Sequence, residues 1–195
     1  MKLIEKIRRY IKVSGIAPIT RRYFIMNAFD GATTTLGIVA GAYVAGIVDE
    51  FWIIWPGLGA TLAMSLSGFV GAYMTEEAER AGEMRILERS MLIKLKDTVV
   101  GRASRFASLW ASLIDGLSPA LASLSCLSPF FLSSVGLFST AHASQLSIVI
   151  SLTIMFLLGA FLGRISKRSM AAHGAKMLLV GLIITFIFLA LEATL

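Results

Sequence analysis

The chain has 195 residues, of which 56% are hydrophobic and only 15% are charged, and its formal net charge is +6. Ordinary soluble domains are roughly 25% charged, so this composition excludes a water-soluble enzyme and a disordered protein and indicates an integral membrane protein. The single cysteine, Cys126, excludes an internal disulfide and a metal site built from several cysteines.

Residues 1–22 predict a cytosolic amphipathic helix that precedes the membrane segments. Apolar residues recur at helical spacing through residues 2–14, with basic residues between them. Such a helix suits an anionic membrane surface, and a packed cytosolic position is the alternative. We expect Pro18 to end this helix, because proline interrupts helical hydrogen bonding.

A helix needs roughly 20 mostly apolar residues to cross a bilayer. Five stretches meet this requirement, namely residues 23–48, 51–74, 107–132, 146–163 and 176–195. The first two make a transmembrane segment over 23–74, a helical cytosolic segment of mixed charge follows over 75–106, and the last three spans occupy 107–195.

An internal repeat suggests how these spans are arranged. Asp30-Gly31 in the first span resembles Asp115-Gly116 in the third, and both pairs are followed by hydroxyl residues. Parallel repeats of this kind occur among transporters. The sequence therefore predicts an all-α membrane protein with five transmembrane helices, arranged as two parallel two-helix repeats and a fifth helix.

The basic residues predict the orientation. Of the eighteen Lys and Arg, seven precede the first span, seven lie between the second and third, and four lie between the fourth and fifth. The opposite connections, near 49–51 and 133–145, contain none. Basic loops remain cytoplasmic, so we expect a cytoplasmic N-terminus and a multi-pass protein of the cell membrane. This topology accounts for the basic charge, and no nucleic-acid partner is expected.

Two carboxylates, Asp30 and Asp115, lie about two turns inside the first and third apolar stretches, where ionisable groups are costly and mark functional sites. Each is followed by glycine and by hydroxyl residues, and carboxylate, hydroxyl and carbonyl oxygens together suit a divalent cation. The alternative is a protonated Asp that hydrogen-bonds to a neighbouring helix. The candidates for an ion path are Asp30, Thr33, Thr34 and Asp115.

Two further sets of side chains are candidates for binding a transition metal. Met64, in the middle of the second span, offers a thioether that favours softer ions, although methionine more often fills a core. Glu76, Glu79 and Glu83 share one helix face just inside the membrane, where carboxylates could collect cations. The alternative is an ordinary solvated face on which Glu76 pairs with Arg80, four residues on.

The first span resembles the first helix of the vacuolar iron transporter (VIT) family. Residues 22–41 carry the Asp-Gly pair, the following threonines and a run rich in Gly and Ala. Residues 63–68 resemble the second helix of that family, and residues 159–166 and 177–181 resemble its last two helices. The resemblance extends over most of residues 20–190.

This resemblance implies a five-helix unit that works as a homodimer, with the ion path at the subunit interface. It implies export of Fe²⁺ or Mn²⁺ from the cytosol in exchange for protons, so the metal is cargo and no tightly bound cofactor is expected. It also implies that Asp30 and Met64 line the path and that Glu76, Glu79 and Glu83 can bind ions on the cytosolic side. The cytosolic segment here is shorter and less acidic than the dedicated metal-binding module of some members.

The sequence therefore predicts a secondary transporter and not an enzyme, with divalent metal ions, protons and the lipid bilayer as partners. One alternative is a membrane scaffold or assembly subunit without transport, which would tolerate Asn in place of Asp30 and Asp115. The other is an intramembrane enzyme that uses these two residues as an acid pair. That enzyme would require the two carboxyl groups to lie within hydrogen-bonding distance.

Overall fold

The computed structural model describes residues 2–137 and 139–192, and within these ranges the chain forms six α-helices and no β-strand. In chain order the helices are α1 (Lys2–Ser14), α2 (Ala17–Val44), α3 (Phe51–Met91), α4 (Val99–Ser134), α5 (Thr140–Ile165) and α6 (Met170–Glu192).

In the described ranges four helices, α3 to α6, are long and apolar enough to cross a membrane, which is consistent with a multi-pass membrane protein. The prediction of five transmembrane helices, arranged as two parallel two-helix repeats and a fifth helix, is wrong, because the described residues form six helices, of which four are candidate spans. The difference arises in α2. This helix is long enough, but Asn27, Asp30 and the threonines at 33–35 lower the apolarity of its central part.

The boundary between α1 and α2 also differs from the prediction. α1 ends at Ser14, and Gly15 follows with a φ of 61°, in the left-handed region that glycine adopts without steric cost. Pro18 lies in the first turn of α2, where a missing N–H breaks no helical hydrogen bond. The expectation that Pro18 ends α1 is therefore wrong.

α3 is one continuous helix of 41 residues. At 1.5 Å per residue it is about 60 Å long, roughly twice the thickness of the hydrocarbon core of a bilayer. The segment 75–106, expected to be helical, comprises the C-terminal part of α3, a connection over 92–98 and the first turns of α4.

The described residues fall into two compact units. The first is drawn from residues 2–24 and 65–117, and the second from residues 25–64, 118–137 and 139–192. An apolar cluster of the first unit contains Ile16, Ala107 and Ala111. An apolar cluster of the second joins side chains of α2 to α5, namely Val39, Ala42, Ile53, Leu127, Phe130 and Ala143.

Within the second unit, α2 approaches α4 most closely at Gly31. A Cβ atom at this position would lie 2.5 Å from the carbonyl oxygen of Pro119 and 2.8 Å from its Cα. The Gly31 carbonyl accepts hydrogen bonds from Ser123 Oγ at 3.1 Å and from Thr35 Oγ1 at 2.9 Å. Backbone contact and buried hydroxyl groups thus determine which face of α2 is packed.

We predict that Gly31→Ala lowers stability by about 1–3 kcal/mol, because the added methyl group must displace the backbone of Pro119. Gly71→Ala is the matched control, since Gly71 also lies in a helix and has open space where a Cβ would stand. Thermal unfolding in detergent, followed by tryptophan fluorescence, measures both. An unchanged midpoint for Gly31→Ala would contradict the close contact.

Candidate functional site

Asp30 lies on a different face of α2 from the packed one. Its neighbours Gly31 and Ala32 are buried, whereas Asp30 itself is exposed. In the described part of the chain its carboxylate has no hydrogen-bond or ion-pair partner. The Asp30 carbonyl accepts a hydrogen bond from Thr33 Oγ1 at 3.1 Å, and the same hydroxyl group donates to the Phe29 carbonyl at 3.0 Å. The Asp30 carboxylate is thus open to a ligand that comes from outside its own chain.

The residues that follow Asp30 on this face of α2 are small or polar. Thr33, Thr34 and Gly37 are half-buried, and a Cβ added to Gly37 would meet open space. Met26, one turn before Asp30, has 55% of its surface exposed. We call these residues the Asp30 face.

Met64 is half-buried at the end of the part of α3 that belongs to the second unit. Among the described residues, no group of three or more His, Cys, Asp or Glu side chains is arranged to hold a metal ion. Asp30 and Met64 therefore stand as individual candidate ligands and not as members of an assembled cluster of acids.

Asp115 lies at a close approach of α3 and α4 within the first unit. It is buried, and a Cβ added to Gly68 would lie 2.8 Å from its Oδ2 atom. The next residue, Gly116, meets α3 in the same way, because a Cβ there would lie 2.7 Å from the carbonyl oxygen of Ser65. Asp115 thus sits in a tightly packed helix crossing, where only glycine leaves room for its carboxylate.

Glu76 is buried with only 3% of its surface exposed, and both of its carboxylate oxygens have partners. Tyr23 Oη donates to Oε1 at 3.0 Å, and Arg80 Nε donates to Oε2 at 3.1 Å in an ion pair. This ion pair is the alternative that the four-residue spacing of Glu76 and Arg80 predicted. Glu79 and Glu83 are exposed, so the three glutamates do not form one open face.

Sequence reasoning missed Tyr23 as the partner of Glu76. Two effects raise the pKa of Tyr23 above its ordinary value, burial being the larger and the hydrogen bond to Glu76 the next. The phenol therefore remains a donor. The negative charges of Glu76 and Asp115 act in the same direction, and that of Arg22 opposes them. No local pattern could have identified this contact, because its partners are 53 residues apart in the sequence.

A cavity of about 520 Å³ lies between the C-terminal part of α3 and the start of α4, within the first unit. Its lining includes four basic residues and two acidic ones. This balance favours anions over cations. The charged lining residues are Arg80, Arg85, Lys96, Arg105, Glu77 and Glu88.

No family model matches the chain. It is 33% identical over 174 residues to the uncharacterized protein MJ0645 of Methanocaldococcus jannaschii, and the match covers 88% of this chain and 87% of the archaeal protein. The chain belongs to the same family as this archaeal protein. The name of that relative gives no activity, so the function must be inferred from the arrangement of residues.

We predict that Glu76→Ala lowers the free energy of unfolding by about 2–4 kcal/mol. It removes the acceptor of the Tyr23 hydroxyl and leaves the largely buried Arg80 without its carboxylate. Glu79→Ala is the control on the same helix and should change stability by less than about 0.5 kcal/mol. Equilibrium unfolding in detergent measures both, and equal effects would contradict the assignment of Glu76 to a buried network.

Proposed function

We propose that this chain is a homodimeric secondary transporter, and not an enzyme, that exports Fe²⁺ or Mn²⁺ across the cell membrane in exchange for protons. The observation that carries the proposal is the Asp30 carboxylate, which is exposed on α2 and has no partner in the described part of the chain. It is adjacent to Gly31, which packs against Pro119 in the candidate span α4.

A carboxylate beside apolar helices is stable only if its charge is balanced. Removing it from water costs several kcal/mol in real proteins, and either a bound proton or a bound cation offsets this cost. A single site that takes one or the other links the two fluxes, because the proton must leave before the metal binds. Asp30 therefore supplies the exchange step of the proposed mechanism.

A second copy of the chain is the proposed cover of the Asp30 face. The small residues there allow two helices to approach closely, and Gly37 has open space beside it. Two such faces would bring two Asp30 carboxylates and their neighbouring threonine hydroxyls to a shared interface. Oxygen donors from both copies would then complete a coordination shell that one chain leaves incomplete.

The remaining candidates have unequal support. Met64 would add a thioether that favours Fe²⁺ and Mn²⁺ over Mg²⁺ through the softness of sulfur. Glu79 and Glu83 are exposed and could attract cations on the cytosolic side. Glu76, by contrast, is bound to Tyr23 and Arg80, so we assign it to the packing of the first unit and not to metal capture.

A membrane scaffold without transport is the second candidate. It is favoured by the ion pair that occupies Glu76 and by the lack of an assembled cluster of acids among the described residues. For a scaffold, the charge of Asp30 would have no role, and its replacement by Asn would have no effect on ion flux.

Uptake of Mn²⁺ into proteoliposomes with an imposed pH gradient tests the proposal. Asp30→Asn keeps the size of the side chain but removes the charge, so we expect uptake to fall roughly tenfold or more, as when metal sites are weakened. Asp97→Asn is the matched control, because Asp97 is exposed in the connection between α3 and α4. Its uptake should remain within about twofold of wild type. Wild-type uptake by Asp30→Asn would favour the scaffold.

A further inference from the structure

The N-terminal helix contacts the start of α4 through a tilted pair of aromatic rings, and one of these rings stacks on a third within α4. The ring centroids of Tyr10 and Phe106 are 5.6 Å apart, and those of Phe106 and Trp110 are 5.8 Å apart with nearly parallel planes. Just after α1, Ile16 is fully buried against Ala107. The position of α1 relative to the first turns of α4 is thus determined by packing within the first unit.

A second cavity, of about 490 Å³, lies beside this contact. Three of its lining residues are basic and one is acidic. The guanidinium groups of Arg9 and Arg102 offer paired donors that match the oxygens of a phosphate group, and Lys6 adds a point charge. The lining residues are Glu5, Lys6, Arg9, Tyr10, Val99 and Arg102.

The cavity lies on the water side of the apolar part of α4. Tryptophan prefers the boundary between hydrocarbon and water, and Trp110 lies near the start of the apolar part of α4. Arg102 precedes it by eight residues, which is about 12 Å along a helix. The polar layer on each side of the hydrocarbon core is roughly 5–8 Å thick, so the backbone of Arg102 lies just outside this layer, and a long basic side chain can extend from there back to the headgroups.

The charges of the connection before α4 indicate on which side of the membrane this end of the helix lies. The connection between α3 and α4 carries Lys94 and Lys96, and basic connections remain cytoplasmic. The cytoplasmic leaflet of a membrane carries anionic lipids, and basic pockets beside membrane helices bind their headgroups.

We propose that the cavity between α1 and α4 binds the phosphate of an anionic phospholipid headgroup in the cytoplasmic leaflet. This site uses none of the residues of the Asp30 face and does not depend on transport. Lys6, Arg9 and Arg102 bind the phosphate from two different helices, so the bound lipid also holds α1 in place. A lipid is favoured over a soluble phosphate compound because the cavity adjoins the apolar part of α4, a candidate membrane span.

Native mass spectrometry of the purified full chain tests this proposal by counting bound phosphatidylglycerol and phosphatidylcholine. We expect the wild type to retain phosphatidylglycerol preferentially. The double variant Lys6→Gln/Arg9→Gln should lose this retention by roughly tenfold or more, because it removes two of the three basic side chains that line the cavity. The single variant Arg102→Gln should weaken retention from the side of α4.

The matched control is Arg8→Gln/Lys12→Gln, which removes the same charge from exposed positions of α1 that do not line the cavity. It should retain phosphatidylglycerol as the wild type does. Thermal unfolding without lipid shows whether each variant is folded, and Arg102→Gln decides the test if changes in α1 prevent folding. Equal loss of phosphatidylglycerol in both double variants would overturn the proposal, because it would indicate a general electrostatic attraction between α1 and anionic lipid.

Inorganic pyrophosphate, added without lipid, distinguishes the two sources of phosphate. We expect it to leave the unfolding midpoint of the wild type unchanged. If pyrophosphate raises the midpoint of the wild type but not of Lys6→Gln/Arg9→Gln, and phosphatidylglycerol is not retained, the ligand is a soluble phosphate and the lipid assignment is overturned.

Discussion

The backbone contact between Gly31 and Pro119 is the constraint on which the candidate site depends. It fixes the rotation of α2 about its own axis, because any side chain at position 31 would meet the backbone of α4. Once Gly31 is turned towards α4, the preceding residue must face elsewhere. Asp30 is therefore exposed. In the proposed mechanism a bound cation or proton balances its charge.

The carboxylates buried in the first unit differ from Asp30 in that other parts of the chain pack against them. Glu76 is buried between Tyr23 and Arg80, and Asp115 lies against Gly68 in a tight helix crossing. Buried carboxylates with such partners rigidify a structure and are costly to disturb. Asp30, by contrast, is exposed on α2 beside the tight contact of Gly31 with Pro119 and has no partner in the described ranges. This contrast separates an exposed carboxylate without a partner from those that hold helices together.

The helical composition and the positions of the apolar stretches could be read from the sequence, but the number of spans could not. The sequence predicts a span over α2 because apolar residues surround its polar ones. The mean hydropathy of α2 is nevertheless too low for a candidate span, unlike that of α3 to α6. The candidate site, too, could be predicted from the sequence only in part. The spacing of Glu76 and Arg80 identified a local ion pair, whereas the contact with Tyr23 depends on tertiary packing across 53 residues. A local pattern therefore could not show which glutamate is buried, since all three share one predicted face.

The most direct measurement of the central claim is proton release when Mn²⁺ is added to the purified chain in weakly buffered detergent solution. If Asp30 exchanges a proton for a metal ion, the wild type releases protons in proportion to the Mn²⁺ that binds, and the release saturates. Asp30→Asn should release none of these protons, because its amide does not ionise. Equal release by the wild type and by Asp30→Asn would contradict the account and would assign the exposed carboxylate of α2 a role other than exchange.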